Sequence, residues 1–137
     1  MFRVFYYADR IAFINDAAYH YNQANLNAIT ATFGRLEINQ MLNCAKLIDA
    51  FYANKPDKEA YLKSVNAVKF LAKLYLVTTR FDWLKEFYEV FPESDEAVKY
   101  VSLNAFSTKG KIRFLFVKYH IAWLFVILFK TFNLFRR

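Results

Sequence analysis

Apolar residues recur every three or four positions through most of the chain after residue 34, which is the spacing of a half-buried helix. In residues 35–53, Met41, Ala45, Ile48 and Tyr52 recur at spacings of four, three and four, with Asp49 at the edge of this stripe. Polar side chains occupy the opposite side. The pattern therefore predicts a first amphipathic helix over residues 35–53.

Three further helices follow by the same criterion. The sequence Asn-Lys-Pro-Asp at 54–57 breaks the first pattern, and proline suits the first turn of a new helix. That second helix extends to about residue 78 and leaves Lys58, Lys63 and Lys69 in solvent. Its apolar stripe is Tyr61, Val65, Val68, Ala72 and Tyr75. A third helix ends at Pro92 and carries Phe81, Leu84, Tyr88 and Phe91 on one side, and a short fourth runs from Ser94 to about Asn104.

The first 32 residues have a different pattern. Residues 1–8 resemble the end of a helix. An apolar run at 11–14 and an aromatic run at 17–21 are separated by Asn15-Asp16, a pair suited to a tight turn. The pattern predicts a small β-ribbon, followed by an amide-rich loop. The predicted fold class is mainly α: the N-terminal β-ribbon, an antiparallel cluster of about four helices, and a C-terminal amphipathic helix, with boundaries at 1–32, 33–106 and 107–137.

Residues 111–137 predict one long C-terminal helix. Its apolar stripe would be Phe114, Val117, Ile121, Leu124, Phe125, Leu128, Phe132 and Phe135. The longest run without a formal charge is 119–129, which as a helix is about 16 Å long against a hydrocarbon core of about 30 Å. This length favours a helix at the membrane surface over one that crosses the membrane.

The charge distribution strengthens this interpretation. Of the net charge of +7, all is contributed by residues 107–137, which contain seven basic residues and no acidic one. A basic helix with large aromatics is typical of an anionic membrane interface. The candidate membrane-binding residues are Lys111, Arg113, Lys118, Trp123, Phe125, Lys130, Arg136 and Arg137. The alternative is that the apolar stripe packs on the preceding helices, or that one edge packs while another inserts. Nucleic-acid binding is not expected, because the basic residues lie among large aliphatics.

Composition and motifs restrict the chemistry. Hydrophobic residues make up 57% of the 137, above the roughly 45–50% of typical soluble domains. Cys44, the single cysteine, fits a reducing compartment and is predicted to be buried. There is no DxD motif, phosphate-binding glycine loop or CxxC pair, and Glu93 and Asp95 are interpreted as helix caps.

One resemblance adds a specific expectation. Residues 5–11 (FYYADRI), 18–21 (AYHY) and 28–30 (AIT) resemble the end of the catalytic domain in bacterial family two glycosyltransferases with the GT-A fold. The likeness covers about the first thirty residues. The family's donor-binding half, with its DxD and acidic base, would lie upstream, so the resemblance implies a C-terminal portion that is inactive alone.

The resemblance also implies site residues. His20 matches a late histidine that completes the metal site in many such enzymes, with Mn²⁺ or Mg²⁺ in a full-length enzyme and no cofactor for this chain alone. The alternative is a histidine that is merely hydrogen-bonded or exposed. Hydroxyl-rich substrates suit the amides of the following loop. The substrate-binding candidates are Tyr19, Tyr21, Asn22, Gln23 and Asn25.

Two functions from different classes follow. The first is part of a glycosyltransferase that moves a sugar from a nucleotide-sugar donor to a surface-polysaccharide or lipid-linked glycan acceptor. The second is a non-catalytic helical module that binds a membrane or a protein. The expected location is the cytoplasm, peripheral at the inner face of the cell membrane, and neither function specifies an oligomeric state.

Overall fold

The computed structural model describes residues 2–8, 10, 34–78 and 80–135, and this part of the chain contains helices and no strand. The helices are α1 (Phe2–Tyr7), α2 (Arg35–Ala53), α3 (Lys58–Leu74), α4 (Phe81–Glu89), α5 (Thr108–Lys118) and α6 (Ala122–Phe135). Two 3₁₀ helices, Pro92–Lys99 and Leu103–Ala105, lie between α4 and α5. The mainly α prediction is confirmed, whereas the predicted β-ribbon lies outside the described residues.

Helices α2 and α3 form a hairpin across the four-residue link 54–57. The N-terminus of α2 is fixed by Glu37, whose carboxylate accepts a hydrogen bond of 2.8 Å from the Gly34 N–H, as the acidic residue of a capping box does. At the other end, the Asn54 side chain donates to the Ala50 carbonyl. These local contacts explain why the sequence located this helix correctly.

The short helix α1 contacts the link between α2 and α3. The Tyr6 hydroxyl donates to Asp57 at 3.0 Å, and Lys55 Nζ donates to the Tyr7 hydroxyl at 2.7 Å. The same ammonium lies over the rings of Tyr6, Tyr7 and Phe51 at 4.3–4.8 Å from their centroids. Cation–π contacts therefore hold α1 against this end of the hairpin.

A single hydrophobic core includes side chains from α2 through α6. Its buried members are Ile38, Leu42, Ala45, Phe70, Ala72, Leu74, Leu76, Val77, Leu84, Phe87, Ala97, Phe114, Ala122, Phe125 and Val126. The C-terminal helices thus pack on the same core as the helices before them.

Two sequence predictions about burial are wrong. Cys44 is exposed, because the face of α2 that packs inward contains Ile38, Leu42 and Ala45. Lys69, predicted to lie in solvent, is only 4% exposed. The buried face of α3 is rotated from the predicted stripe, so that Val68 and Tyr75 lie more than a third exposed.

The predicted fourth helix, from Ser94 to about Asn104, is instead the two 3₁₀ helices Pro92–Lys99 and Leu103–Ala105, and the first follows a left-handed turn. Phe91, with φ of 49°, separates α4 from Pro92–Lys99. The Ser94 hydroxyl donates to the Phe91 carbonyl at 2.7 Å. Ser94 therefore stabilises the turn at this site.

The predicted single helix over 111–137 is also wrong, because α5 and α6 are separate helices. His120 adopts a left-handed conformation with φ of 58°. Its N–H donates to the Val117 carbonyl, and the Ile121 N–H donates to the Phe116 carbonyl at 2.9 Å. This pair of bonds is the Schellman motif that ends a helix, here with histidine where glycine is usual.

Candidate membrane interface

Helix α6 is apolar on both its inner and its outer face. Ala122, Phe125 and Val126 are buried in the core. On the outer face, Trp123 is 50%, Ile127 40% and Leu128 44% exposed. A helix that is apolar all round normally lies fully inside a protein or in contact with lipid. Between Trp123 and Leu128, the outer face of α6 therefore lacks the polar side chains that face water in ordinary surface helices.

The turn between α5 and α6 extends the apolar surface. Tyr119 is 65% exposed and Ile121 is 36% exposed, on either side of His120. We call the five exposed side chains Tyr119, Ile121, Trp123, Ile127 and Leu128 the outer apolar patch. Tyrosine and tryptophan are the residues that favour the headgroup level of a bilayer.

Exposed lysines accompany this patch on both helices. Lys109, Lys111 and Lys118 belong to α5, and Lys130 belongs to α6. None of the four forms an ion pair with a described residue. Their charges are therefore available to an anionic partner, whereas Lys69 and Lys99 contact carboxylates.

The structure separates the predicted membrane-binding residues into three groups. Lys111, Lys118, Trp123 and Lys130 are exposed, and Arg113 is half-buried. Phe125 was predicted to face the membrane, but it is only 5% exposed and lies in the core. Its ring stacks on Phe129, with 4.3 Å between the ring centroids, and meets the Phe116 ring edge to face. Arg136 and Arg137 lie outside the described residues.

Arg113 differs electrostatically from the lysines around it. Its guanidinium carbon lies 5.6 Å from the centre of the Tyr75 ring, so the side chain is held against the end of α3. Burial lowers the pKa of Arg113 from its ordinary value, although the nearby Tyr75 acts in the opposite direction. A lowered pKa indicates that the charged form is poorly solvated at this position.

Two buried lysines of α3 form ion pairs with three acidic residues, and this cluster was not predicted from the sequence. Lys69 Nζ contacts Asp49 at 2.8 Å and Glu93 at 2.6 Å, and Lys73 Nζ contacts Asp95 at 2.6 Å. Glu93 and Asp95 thus bind lysines of α3 in addition to lying in the first turn of their own 3₁₀ helix. The sequence feature that could have indicated these ion pairs is the spacing of the charged residues. Two lysines lie four positions apart on α3, and two acidic residues lie two positions apart after Pro92. These contacts join α2, α3 and the first 3₁₀ helix, so the cluster is interpreted as structural.

The metal-binding and substrate-binding candidates that the resemblance implied cannot be located in the structure. His20, Tyr19, Tyr21, Asn22, Gln23 and Asn25 lie outside the described residues. In the part of the chain that is described, no three histidine, cysteine, aspartate or glutamate side chains lie together as a metal site would require. Two shallow clefts beside Tyr52, of about 190 and 150 Å³, are smaller than typical ligand pockets.

Comparisons with protein-family models, curated proteins and solved structures found no significant match. Among the described helices, none is both long and apolar enough to cross a bilayer. Functional assignment therefore depends on the geometry of this surface and on the sequence.

Proposed function

We propose that this protein attaches to anionic membrane surfaces through the outer apolar patch and the lysines that accompany it. The observation that supports the proposal is the outer face of α6, where Trp123, Ile127 and Leu128 remain exposed although the opposite face of the same helix is in the core. Inserting these side chains would remove apolar area from water at about 25 cal/mol per Å².

Charge complementarity selects the partner. A basic side chain close to an anionic leaflet contributes about 1 kcal/mol, and the attraction decays within a Debye length. Lys111, Lys118 and Lys130 are exposed and belong to a segment that contains no acidic residue. We expect charge to govern recruitment to the surface and the outer apolar patch to govern retention.

Vesicle co-sedimentation with point variants of the whole chain tests the apolar contribution. Removing the segment after residue 107 is unsuitable, because Phe114, Ala122, Phe125 and Val126 belong to the core. Ile127→Glu should abolish most binding to anionic vesicles. The matched control is Leu62→Glu on α3, a leucine that is 50% exposed and distant in sequence from the patch. Equal loss of binding in both variants, or in neither, would contradict the proposal.

A second arm tests the charge. Replacing Lys111, Lys118 and Lys130 together by glutamine should weaken binding and reduce its salt dependence. The control replaces Lys46, Lys58 and Lys63, three exposed lysines of α2 and α3, and changes the net charge by the same amount. If the control variant loses as much affinity, net charge alone attracts the protein and this surface has no special role.

The glycosyltransferase function is a second proposal, supported by the resemblance of residues 5–30. In such an enzyme the surface on α5 and α6 would hold the protein near a lipid-linked acceptor. Because the sequence has no DxD motif to bind the donor diphosphate, we expect no transfer by this chain alone. The test is incubation with nucleotide sugars and Mn²⁺, with nucleotide release measured. Release above that of heat-inactivated protein would show that this expectation is wrong.

A further inference from the structure

Arg113 lacks the acidic partner that the comparable arginines have. Arg35 donates to both carboxylate oxygens of Glu86 at 2.7 Å, and Arg80 donates to both oxygens of Asp82 at 2.8 and 3.1 Å. Arg113 is half-buried, yet it makes no ion pair with any described residue. The chain thus neutralises two of these guanidinium groups internally and leaves the third with a ring contact.

Hydrogen bonding at Arg113 is also incomplete. Its Nε is buried and has no hydrogen-bond partner within the described part of the chain. The hydroxyl of Thr78, three residues after the Tyr75 that contacts Arg113, is likewise buried and unsatisfied. Buried polar groups are normally paired, so the unpartnered Nε of Arg113 indicates a donor that no described residue satisfies.

The chemistry of a guanidinium defines the acceptor that this donor needs. Its planar fork of donors matches the oxygens of a phosphate, and a partly desolvated site strengthens the attraction to an anion. Lys109, one helical turn before Arg113 on α5, is exposed and adds a second positive charge on that side. A half-buried group can contact a terminal phosphate more readily than a phosphodiester shielded by substituents on both sides.

We propose that Arg113 binds the terminal phosphate of a phosphomonoester lipid headgroup, with Lys109 in support. This inference rests on the proposed attachment to membranes and adds a headgroup preference to it. Arg113 then acts as a specificity residue, while Lys111, Lys118 and Lys130 respond to surface charge of any chemical origin.

The test compares vesicles that contain phosphatidic acid with vesicles that contain phosphatidylglycerol, adjusted to equal surface charge. One added charge-assisted contact should favour the first by about tenfold in affinity. Arg113→Met keeps the unbranched apolar stem of the side chain and removes the guanidinium. It should abolish this preference, while phosphatidylglycerol binding weakens only by the effect of losing one charge. The Lys118→Gln variant controls for the loss of one charge and should weaken binding to both vesicle types while keeping the preference.

A solution arm separates the lipid source from a free phosphate. Glycerol phosphate should raise the melting temperature of the unmodified protein above that in sodium chloride of equal ionic strength, and it should not do so for Arg113→Met. Stabilisation without a vesicle preference would contradict the lipid headgroup and favour a soluble phosphate. A preference retained by Arg113→Met would overturn the role of Arg113.

Different results would contradict the headgroup preference and the membrane attachment. If the unmodified protein binds both vesicle types equally, the headgroup inference is wrong and membrane attachment stands. If it binds neither, membrane attachment is wrong, and with it the lipid source of the phosphate.

Discussion

The ammonium of Lys73 contacts Asp95 Oδ1 at 2.6 Å from a position with no exposed side-chain surface. The same group donates to the carbonyls of Val90 and Phe91, each at 3.0 Å. Phe91 is one of the two left-handed non-glycine residues in the described chain. Lys73 therefore supplies three contacts that hold the turn after α4, and its desolvation is offset by the acceptors gathered around it.

Lys73→Met should destabilise the protein by about 2–4 kcal/mol, because two carbonyls and a carboxylate lose their donor while the volume is kept. Urea unfolding followed by circular dichroism measures this. Lys85→Met is the control, since Lys85 is 80% exposed and its pair with Glu89 is long at 3.7 Å. We expect that variant to stay within about 0.5 kcal/mol of the parent. Similar losses in the two variants would show that burial of Lys73 has no special cost.

Glu93 should make stability depend on acid pH. Burial is the largest single influence and would raise the pKa of Glu93. The hydrogen bond from Lys69, a backbone hydrogen bond and the charges of Lys69 and Lys73 together outweigh burial, so the pKa is lowered. A carboxyl whose pKa is lower in the folded state contributes stability above its unfolded pKa, and this is lost as pH falls through the folded value. Glu93→Gln should therefore cost about 0.5–1 kcal/mol at pH 7, since the carboxylate is half exposed. The difference should shrink as the pH falls below the ordinary glutamate pKa and disappear once the carboxyl is protonated in the folded protein.

The control for this pH dependence is Glu59→Gln. Glu59 is an exposed carboxylate that forms no ion pair with a described residue. Its unfolding curves should follow those of the parent protein from neutral to acid pH. A Glu93→Gln deficit that persisted unchanged at acid pH would indicate a packing effect and not an ion pair.

His120→Gly should stabilise the turn between α5 and α6. A left-handed conformation costs a non-glycine residue roughly 1 kcal/mol, and glycine avoids that cost even after its greater unfolded-state entropy is included. Thermal melting of the variant should show a small rise. The control is Lys118→Gly, which introduces glycine in the last turn of α5. There glycine should lower the free energy of unfolding by about 0.5–1 kcal/mol. Equal effects of the two glycines would rule out backbone strain at His120.

Phe125→Ala should destabilise the core by about 3–5 kcal/mol, because the side chain is buried and removing it leaves a cavity. Denaturant unfolding measures the loss. The control is Phe81→Ala at an N-terminal position of α4 that is 50% exposed, where a change below about 1 kcal/mol is expected. A strong loss of vesicle binding by Phe125→Ala with unchanged stability would instead indicate that Phe125 contacts the membrane.

The sequence by itself determined the elements whose ends are set by local contacts. Residues 35–53 were located correctly from the apolar period and the break at 54–57. Both signals are local, as is the hydrogen bond between Glu37 and the Gly34 N–H that fixes the start of the helix. The charge of the C-terminal segment is likewise a property of the sequence alone. The mainly α class follows from the same regular spacing.

Tertiary structure decided which side of each helix faces inward and how the last segment folds. Lys69 and Lys73 could be buried only because acids from α2 and from Pro92–Lys99 approach α3 from outside its own sequence. The end of α5 depends on His120 accepting a left-handed conformation, which a helical wheel does not anticipate. Placement of Phe125 in the core and Trp123 outside followed from that turn, because it sets the rotation of α6 against the rest of the protein.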